Sequence, residues 1–185
     1  TGASASSCSE CSAGKYSTSS MVSKCTDCSS GQYQQSAGRT SCAECDAGKF
    51  QSAEGQSYCD SCQAGSITDT GAQPKATTCT ACVAGTYSSE SKVAACTSCP
   101  AGKYAASDGS ATCADCEAGH YQESDGQGYC KACLAGSITN TGAHARATTC
   151  DECAAGLYST SSTDSNCTKC AAGSITDAGT RAGAT

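Results

Sequence analysis

The sequence predicts small disulfide-rich repeats: irregular short β-strands and turns, essentially no helix, stacked into an elongated solenoid-like rod. Three observations carry that expectation. All 20 cysteines of the 185-residue chain fall into Cys-x-x-Cys pairs. The pairs recur at a near-constant spacing, the mark of a tandem array. Large apolar residues are almost absent: Leu, Ile, Val and Phe number nine, far below the ~20% of residues at which a chain can be expected to form an ordinary core.

The pairs begin at Cys8, Cys25, Cys42, Cys59, Cys79, Cys96, Cys113, Cys130, Cys150 and Cys167, 17 residues apart except after Cys59 and Cys130, where the gap is 20. Cut at the first cysteine, the units run 8–24, 25–41, 42–58, 59–78, 79–95, 96–112, 113–129, 130–149, 150–166 and 167–185, with 1–7 resembling the tail of a preceding unit. They are of four types. The first has a polar middle, the second a glycine four residues before the next cysteine, and the third ends in EGQSY or DGQGY. The fourth is the long type containing AGSIT. The order repeats as super-repeats 8–78 and 79–149, a 71-residue period, followed by a partial one, 150–185, that passes from the first type directly to the fourth. Both ends are expected to be cuts through a longer array.

Within each unit the grammar is C-x-x-C-x-[AS]-G-x-[YFI]. The glycine suggests positive φ or close backbone approach. Two residues later stands the one large apolar group most units own: Tyr16, Tyr33, Phe50, Ile67, Tyr87, Tyr104, Tyr121, Ile138, Tyr158 and Ile175. These ten are expected to pack on neighbouring disulfides. Ser107-Asp108-Gly109 and Ser124-Asp125-Gly126 read as turns. Alanine is plentiful, but no apolar stripe of 3.6-residue period accompanies it, so helix is not expected.

One large side chain contributes about 1.5–3 kcal/mol when buried, against roughly 1–2 kcal/mol of backbone entropy for every residue ordered. Burial loses, and cross-links must limit the entropy instead; a disulfide closing a loop of about 15 residues contributes about 3 kcal/mol. Dependence on disulfides implies an oxidising compartment, hence an extracellular, secreted or cell-surface chain. The net charge of −6 argues against nucleic acid, which requires a basic stripe. No apolar run approaches the ~20 residues of a membrane span. Ser and Thr supply 52 residues, which suits a hydrated or glycan-bearing surface.

Structural disulfides are the reading that composition favours for the pairs, but spacing alone leaves the connectivity open. The second cysteine of each pair could join the first of the next, or pairs could join two-to-two, as in Cys8–Cys25 with Cys11–Cys28. Zinc is the competing chemistry, because C-x2-C-x13-C-x2-C is close to zinc-ribbon spacing. The uniformity of the array, its few basic residues and its Ser/Thr-rich surface stand against a zinc-binding repeat array. A redox role would require a βαβ scaffold to tune the thiolate. The two histidines, His120 and His144, have no recurring acidic or cysteine partner that would build a triad. Carboxylates such as Asp46, Glu54, Asp60, Glu117 and Glu123 read as solvated surface. Neither an enzyme nor a cofactor is expected. The one N-glycosylation sequon, Asn166-Cys167-Thr168, carries a cysteine at its centre. Ser/Thr runs at Ser17-Thr18 and Ser159-Thr160 could carry O-glycans, or could be plain polar loops.

The units C-T-S-C-P-A-G-K-Y (Cys96 to Tyr104) and C-T-A-C-V-A-G-T-Y (Cys79 to Tyr87) resemble the ephrin-receptor-like cysteine-rich repeat, a relative in style of the tumour-necrosis-factor-receptor module. The likeness covers all ten units, although the proline after the second cysteine stands only as Pro100. The Ala/Ser-rich simplicity of the array is similar to that of cysteine-periodic surface-coat and flagellar-hair proteins of protists. What the resemblance implies is the first ladder: Cys11–Cys25, Cys28–Cys42, Cys45–Cys59, Cys62–Cys79, Cys82–Cys96, Cys99–Cys113, Cys116–Cys130, Cys133–Cys150 and Cys153–Cys167. Cys8 and Cys170 would then pair outside the segment.

Two functions follow from different classes. A structural role, a rod or filament component of a cell coat, appendage or fibre, fits near-identical units that stack with their neighbours. Its partners would be further copies or repeats of itself, with glycans as a second class. The alternative is a receptor or adhesin stalk that binds a protein or glycan ligand, which would require unit-specific exposed aromatics. Tyr58, Tyr129, Met21-Val22 and Arg146 are the candidates; the recurrence of the two tyrosines at the super-period reads as packing between units.

Overall fold

A computed structural model describes residues 7–177. They form two compact bodies: one runs up to Ala81 and includes Ser89–Ala95, the other comprises Cys82–Ser88 with Cys96 onward.

The building element is the same in both bodies. After each second cysteine comes a four-residue turn closed by an i to i+3 bond, as in Lys15 N–H to Ser12 C=O (3.1 Å) and Lys103 N–H to Pro100 C=O (3.0 Å). Its third residue is the repeat glycine, with φ of +81° at Gly14 and +79° at Gly102, as a type II turn demands. A short strand follows and pairs with residues lying between the two cysteines of the next Cys-x-x-Cys.

In the first body β1 (Lys15–Tyr16) pairs with β2 (Thr26–Asp27), β3 (Gln32–Tyr33) with β4 (Ala43–Glu44), β5 (Lys49–Phe50) with β6 (Asp60–Ser61), and β7 (Ser66–Thr68) with β8 (Cys79–Ala81). In the second body β9 (Thr86–Tyr87) pairs with β10 (Thr97–Ser98), β11 (Lys103–Tyr104) with β12 (Ala114–Asp115), and β13 (His120–Tyr121) with β14 (Lys131–Ala132). The same body holds β15 (Ser137–Thr139) with β16 (Cys150–Glu152), and β17 (Leu157–Tyr158) with β18 (Thr168–Lys169). All nine pairings are antiparallel, and no helix occurs among the described residues. The fold class is that of small disulfide-rich repeats.

Two-residue hairpins are not stable alone in water, and each is clamped by a disulfide. The bonds are Cys11–Cys25, Cys28–Cys42, Cys45–Cys59 and Cys62–Cys79 in the first body. Cys82–Cys96, Cys99–Cys113, Cys116–Cys130, Cys133–Cys150 and Cys153–Cys167 follow in the second. Cys8 and Cys170 have no disulfide partner within the chain. Each bridge closes a span of 14 residues, or 17 in the long repeats, the size at which a cross-link contributes about 3 kcal/mol.

The core is built mostly from small residues and cysteines. Its buried members are the second cysteines, such as Cys28, Cys45, Cys99 and Cys116, each 0% exposed. The repeat glycines from Gly14 to Gly136 are also buried, together with the residue following each large side chain except Ser17 and Gln34, which are half-buried. The large residues themselves, Tyr16, Tyr33, Phe50, Ile67, Tyr87, Tyr104, Tyr121, Ile138 and Tyr158, are half-buried. Ile175 is 89% exposed: no strand among the described residues pairs beside it, so it has nothing to pack on.

Candidate functional site: the seam between repeats

Backbone hydrogen bonds of two recurring kinds join successive repeats at several junctions. The repeat glycine donates to the carbonyl of the residue after the next large side chain: Gly14 N–H to Gln34 O (2.7 Å), Gly31 to Gln51 (2.7 Å), Gly85 to Ala105 (2.8 Å) and Gly102 to Gln122 (2.8 Å). The second cysteine accepts at its carbonyl from a turn in the following repeat: Gly38 to Cys11 (2.8 Å), Gly55 to Cys28 (2.8 Å), Gly109 to Cys82 (2.7 Å) and Gly126 to Cys99 (2.7 Å). In the long repeats a cation takes that turn position. Lys75 donates to Cys45 and Arg146 to Cys116, both at 2.8 Å, with φ of +70° and +72°. A non-glycine residue there carries about 1–2 kcal/mol of left-handed strain. The Lys75 side chain is within 3.7 Å of Glu44, and Arg146 lies 3.5 Å from Asp115.

The seam also reaches the second neighbour. A methyl group on Gly14 would lie 1.9 Å from the Gly55 carbonyl oxygen, and one on Gly85 would lie 2.1 Å from that of Gly126. Each glycine therefore admits the turn of a repeat two places on. The sequence reading had confined stacking to immediate neighbours. Backbone approach of this kind has no side-chain signature apart from the glycine itself.

The buried residue after most of the large side chains is the element that sequence reasoning missed. Gln122 is 1% exposed and Gln51 5%. Gln122 Nε2 donates to Tyr129 O (2.8 Å), and its Oε1 accepts from the Ser124 N–H (3.1 Å). Gln51 makes the same pair of bonds with Tyr58 O (2.9 Å) and Ala53 N–H (3.0 Å). In the long repeats Thr68 and Thr139 donate to the Gly71 and Gly142 carbonyls. Ser159 Oγ donates to Ser161 O at 2.7 Å, with Asp164 Oδ2 at 3.0 Å. No buried side-chain nitrogen or oxygen among the described residues lacks a partner. A signal was present: Gln51 and Gln122, Thr68 and Thr139, and Ser88 and Ser159 are each 71 residues apart.

The remaining candidate residues separate by exposure. Ser159 is 1% exposed, so its hydroxyl is committed and closed to a glycan, which corrects the expectation of an O-glycan there. Thr18, Thr160 and Asn166 are exposed; Ser17 is half-buried, its hydroxyl donating to Ser19 O (2.8 Å). Tyr58 and Tyr129, read as packing residues, are 58% and 60% exposed, because only their carbonyls are used by the fold. His120 lies on β13 and His144 in the loop of a long repeat, where its N–H donates to Thr141 O (3.3 Å). No three His, Cys, Asp or Glu side chains converge as metal ligands among the described residues. The bonded cysteines offer no thiolate to a metal.

Ionisable groups are perturbed in three places. Desolvation raises the Asp69 pKa, but bonds from the Thr77 hydroxyl (2.7 Å) and N–H (3.0 Å), with Thr78, outweigh it and hold the carboxyl below its ordinary value. The Lys103 ammonium, 2.6 Å away, lowers Asp115, and Arg146 assists. Glu123, hydrogen-bonded to Lys131, raises the lysine. All three are exposed surface interactions of the kind that stabilise little.

Stapled hairpins in register, with buried polar residues holding the loops, define a cysteine-rich repeat protein. Residues 70–112 and 102–147 each match the family described as tyrosine-protein kinase ephrin type A/B receptor-like. Residues 70–147 thus resemble ephrin-receptor-like cysteine-rich repeats in tandem. No curated protein matches it.

Proposed function

We propose that the chain is a non-catalytic extracellular structural array, a rod or filament component of a cell-surface coat, appendage or fibre. The observation that carries this reading is the backbone seam: in both bodies equivalent donors meet equivalent acceptors at several successive junctions, as at Gly14, Gly31, Gly85 and Gly102. Such contacts depend on glycine, cysteine and main chain, so they can be continued by adding copies. The 71-residue super-repeat, 8–78 and 79–149 with 150–185 as a partial third, is the unit of extension. Further repeats of the same kind are the partners, with glycans on exposed loops around Thr18 and Thr160. Nine disulfides and the ephrin-receptor-like repeats support an oxidising, extracellular setting. No helix among the described residues is long and apolar enough to cross a membrane.

Small-angle scattering of the oxidised chain tests the proposal. An array that extends by neighbour contacts gives a radius of gyration well above the roughly 16 Å of a compact domain of this length. A value near 16 Å would overturn the rod. Electron microscopy of the native material should show fibres or a coat; isolated, dispersed molecules would overturn the structural role.

A further inference from the structure

A groove lies in each body at the same place in its super-repeat. In the first body it has a volume of about 190 Å³ and is lined by Tyr33, Asp46, Lys49 and Tyr58. In the second it has about 310 Å³ and is lined by Tyr104, Glu117, His120 and Tyr129. Every one of these residues lies 71 positions from its counterpart.

The rings of Tyr58 and Tyr129 are not required by the fold. What the fold takes from them is the carbonyl oxygen that accepts from Gln51 or Gln122, and any residue would provide it. The position before the first cysteine of the other pairs holds small or polar residues. Yet both third-type repeats place a tyrosine there, more than half exposed, opposite a second tyrosine on the neighbouring repeat. An acid and a base are held beside the groove by the turn itself: Lys49 N–H donates to Asp46 O (2.9 Å) and His120 N–H to Glu117 O (3.0 Å). Between the two copies the acid changes from Asp to Glu and the base from Lys to His, while both tyrosines stay.

We propose that these two grooves are binding sites for a single neutral sugar ring of a glycan. A pyranose has an apolar C–H face and a rim of hydroxyls. Tyrosines present aromatic faces and a polar tip, a carboxylate accepts hydroxyl hydrogens, and Lys or His donates to hydroxyl oxygens. Lys49 offsets Asp46 in the first groove, so no positive excess is left there to select a phosphate. The volumes lie at or below the roughly 300 Å³ lower bound of ordinary ligand sites, a size for one ring. Two sites on one chain, each weak, gain by avidity on a surface dense in the same glycan.

Saturation-transfer NMR on the full oxidised chain, with the methyl glycosides of glucose, galactose, mannose and N-acetylglucosamine as probes, tests the assignment. At least one glycoside receives transfer, stronger on one ring face. The doubly substituted Tyr58→Ala/Tyr129→Ala chain loses affinity about tenfold, while Tyr58→Phe/Tyr129→Phe keeps most of it. Amide shift mapping on the unsubstituted chain gives a readout independent of any variant's folding. Shifts gather at Tyr33, Asp46, Tyr58 and their counterparts. No transfer to any glycoside, transfer unchanged in the alanine chain, shifts elsewhere, or binding of a proline-rich peptide in place of sugar would each overturn the proposal.

Discussion

Replacing Gly85 with alanine places a methyl group 2.1 Å from the Gly126 carbonyl oxygen, at a backbone φ of +85°. Two costs follow. The left-handed conformation costs a residue with a Cβ about 1–2 kcal/mol. The overlap cannot be relieved by a rotamer, because its partner is main chain two repeats away, and such overpacking costs about 1–3 kcal/mol. Gly109 is the control. Its φ is +75°, and nothing lies within 4 Å of where its methyl would be, so Gly109→Ala bears the first cost alone.

The reporter is the Gly126 amide, which donates to Cys99 O at 2.7 Å and belongs to the turn that Gly85 admits. Hydrogen exchange of the oxidised chain at this amide should be faster in Gly85→Ala than in Gly109→Ala by about 5-fold to 150-fold, the equivalent of about 1–3 kcal/mol. Cooperative units in such arrays are local, so a site-resolved measurement is preferable to a single melting temperature. Equal exchange in the two variants would refute the second-neighbour contact and, with it, the extension from repeat to repeat.

Gln122→Ala leaves the Tyr129 carbonyl and the Ser124 N–H unpaired inside the seam and should cost about 1–3 kcal/mol. Gln34→Ala, at a more exposed position with the same bonds to Ser41 O (2.8 Å) and Ser36 N–H (3.1 Å), should cost much less in thermal melts. Equal losses would show that burial is not what makes the glutamine matter. Lys75→Gly removes left-handed strain of about 1–2 kcal/mol together with an exposed ion pair that contributes about 1 kcal/mol at most. The melting temperature should therefore hold or rise, and a clear fall would mean that the Glu44 pair outweighs the strain. Stability should be flat from about pH 5 to 10. Asp69 and Asp115, with lowered pKa values, contribute above the usual carboxylate range and lose that contribution as pH falls through their folded values. Lys131, raised, contributes below the usual lysine value and loses its contribution as pH rises through the folded one. A titration of stability near neutral pH would contradict this assignment.

What was legible in the sequence was local. The motif from Cys11 to Tyr16 encodes a cysteine, a type II turn closed at Gly14 and a strand, and each step follows from chemistry within a few residues. Gly14 was legible as a site of positive φ or close backbone approach, and it is both; what stayed hidden was which repeat's backbone enters there, because main-chain donors and acceptors carry no sequence label. Gln51 and Gln122 were hidden for the opposite reason. Polar residues are assigned to the surface by default, and only their 71-residue recurrence hinted otherwise.

The two hidden features have one cause, and it bears on why the array needs so few apolar residues. An apolar core excludes water by bulk, which these repeats lack. Here small residues and disulfides let backbones approach until their own polar groups pair, and a buried glutamine, threonine or serine satisfies the loop groups that remain. Each added repeat then brings its own staple and its own set of seam bonds, independent of how many repeats precede it. The tyrosines, released from core duty, stand half-buried along the strands or, at Tyr58 and Tyr129, out in solvent. An exposed aromatic in such an array is therefore a stronger pointer to recognition than it would be on a globular domain, where scattered exposed apolar residues are ordinary.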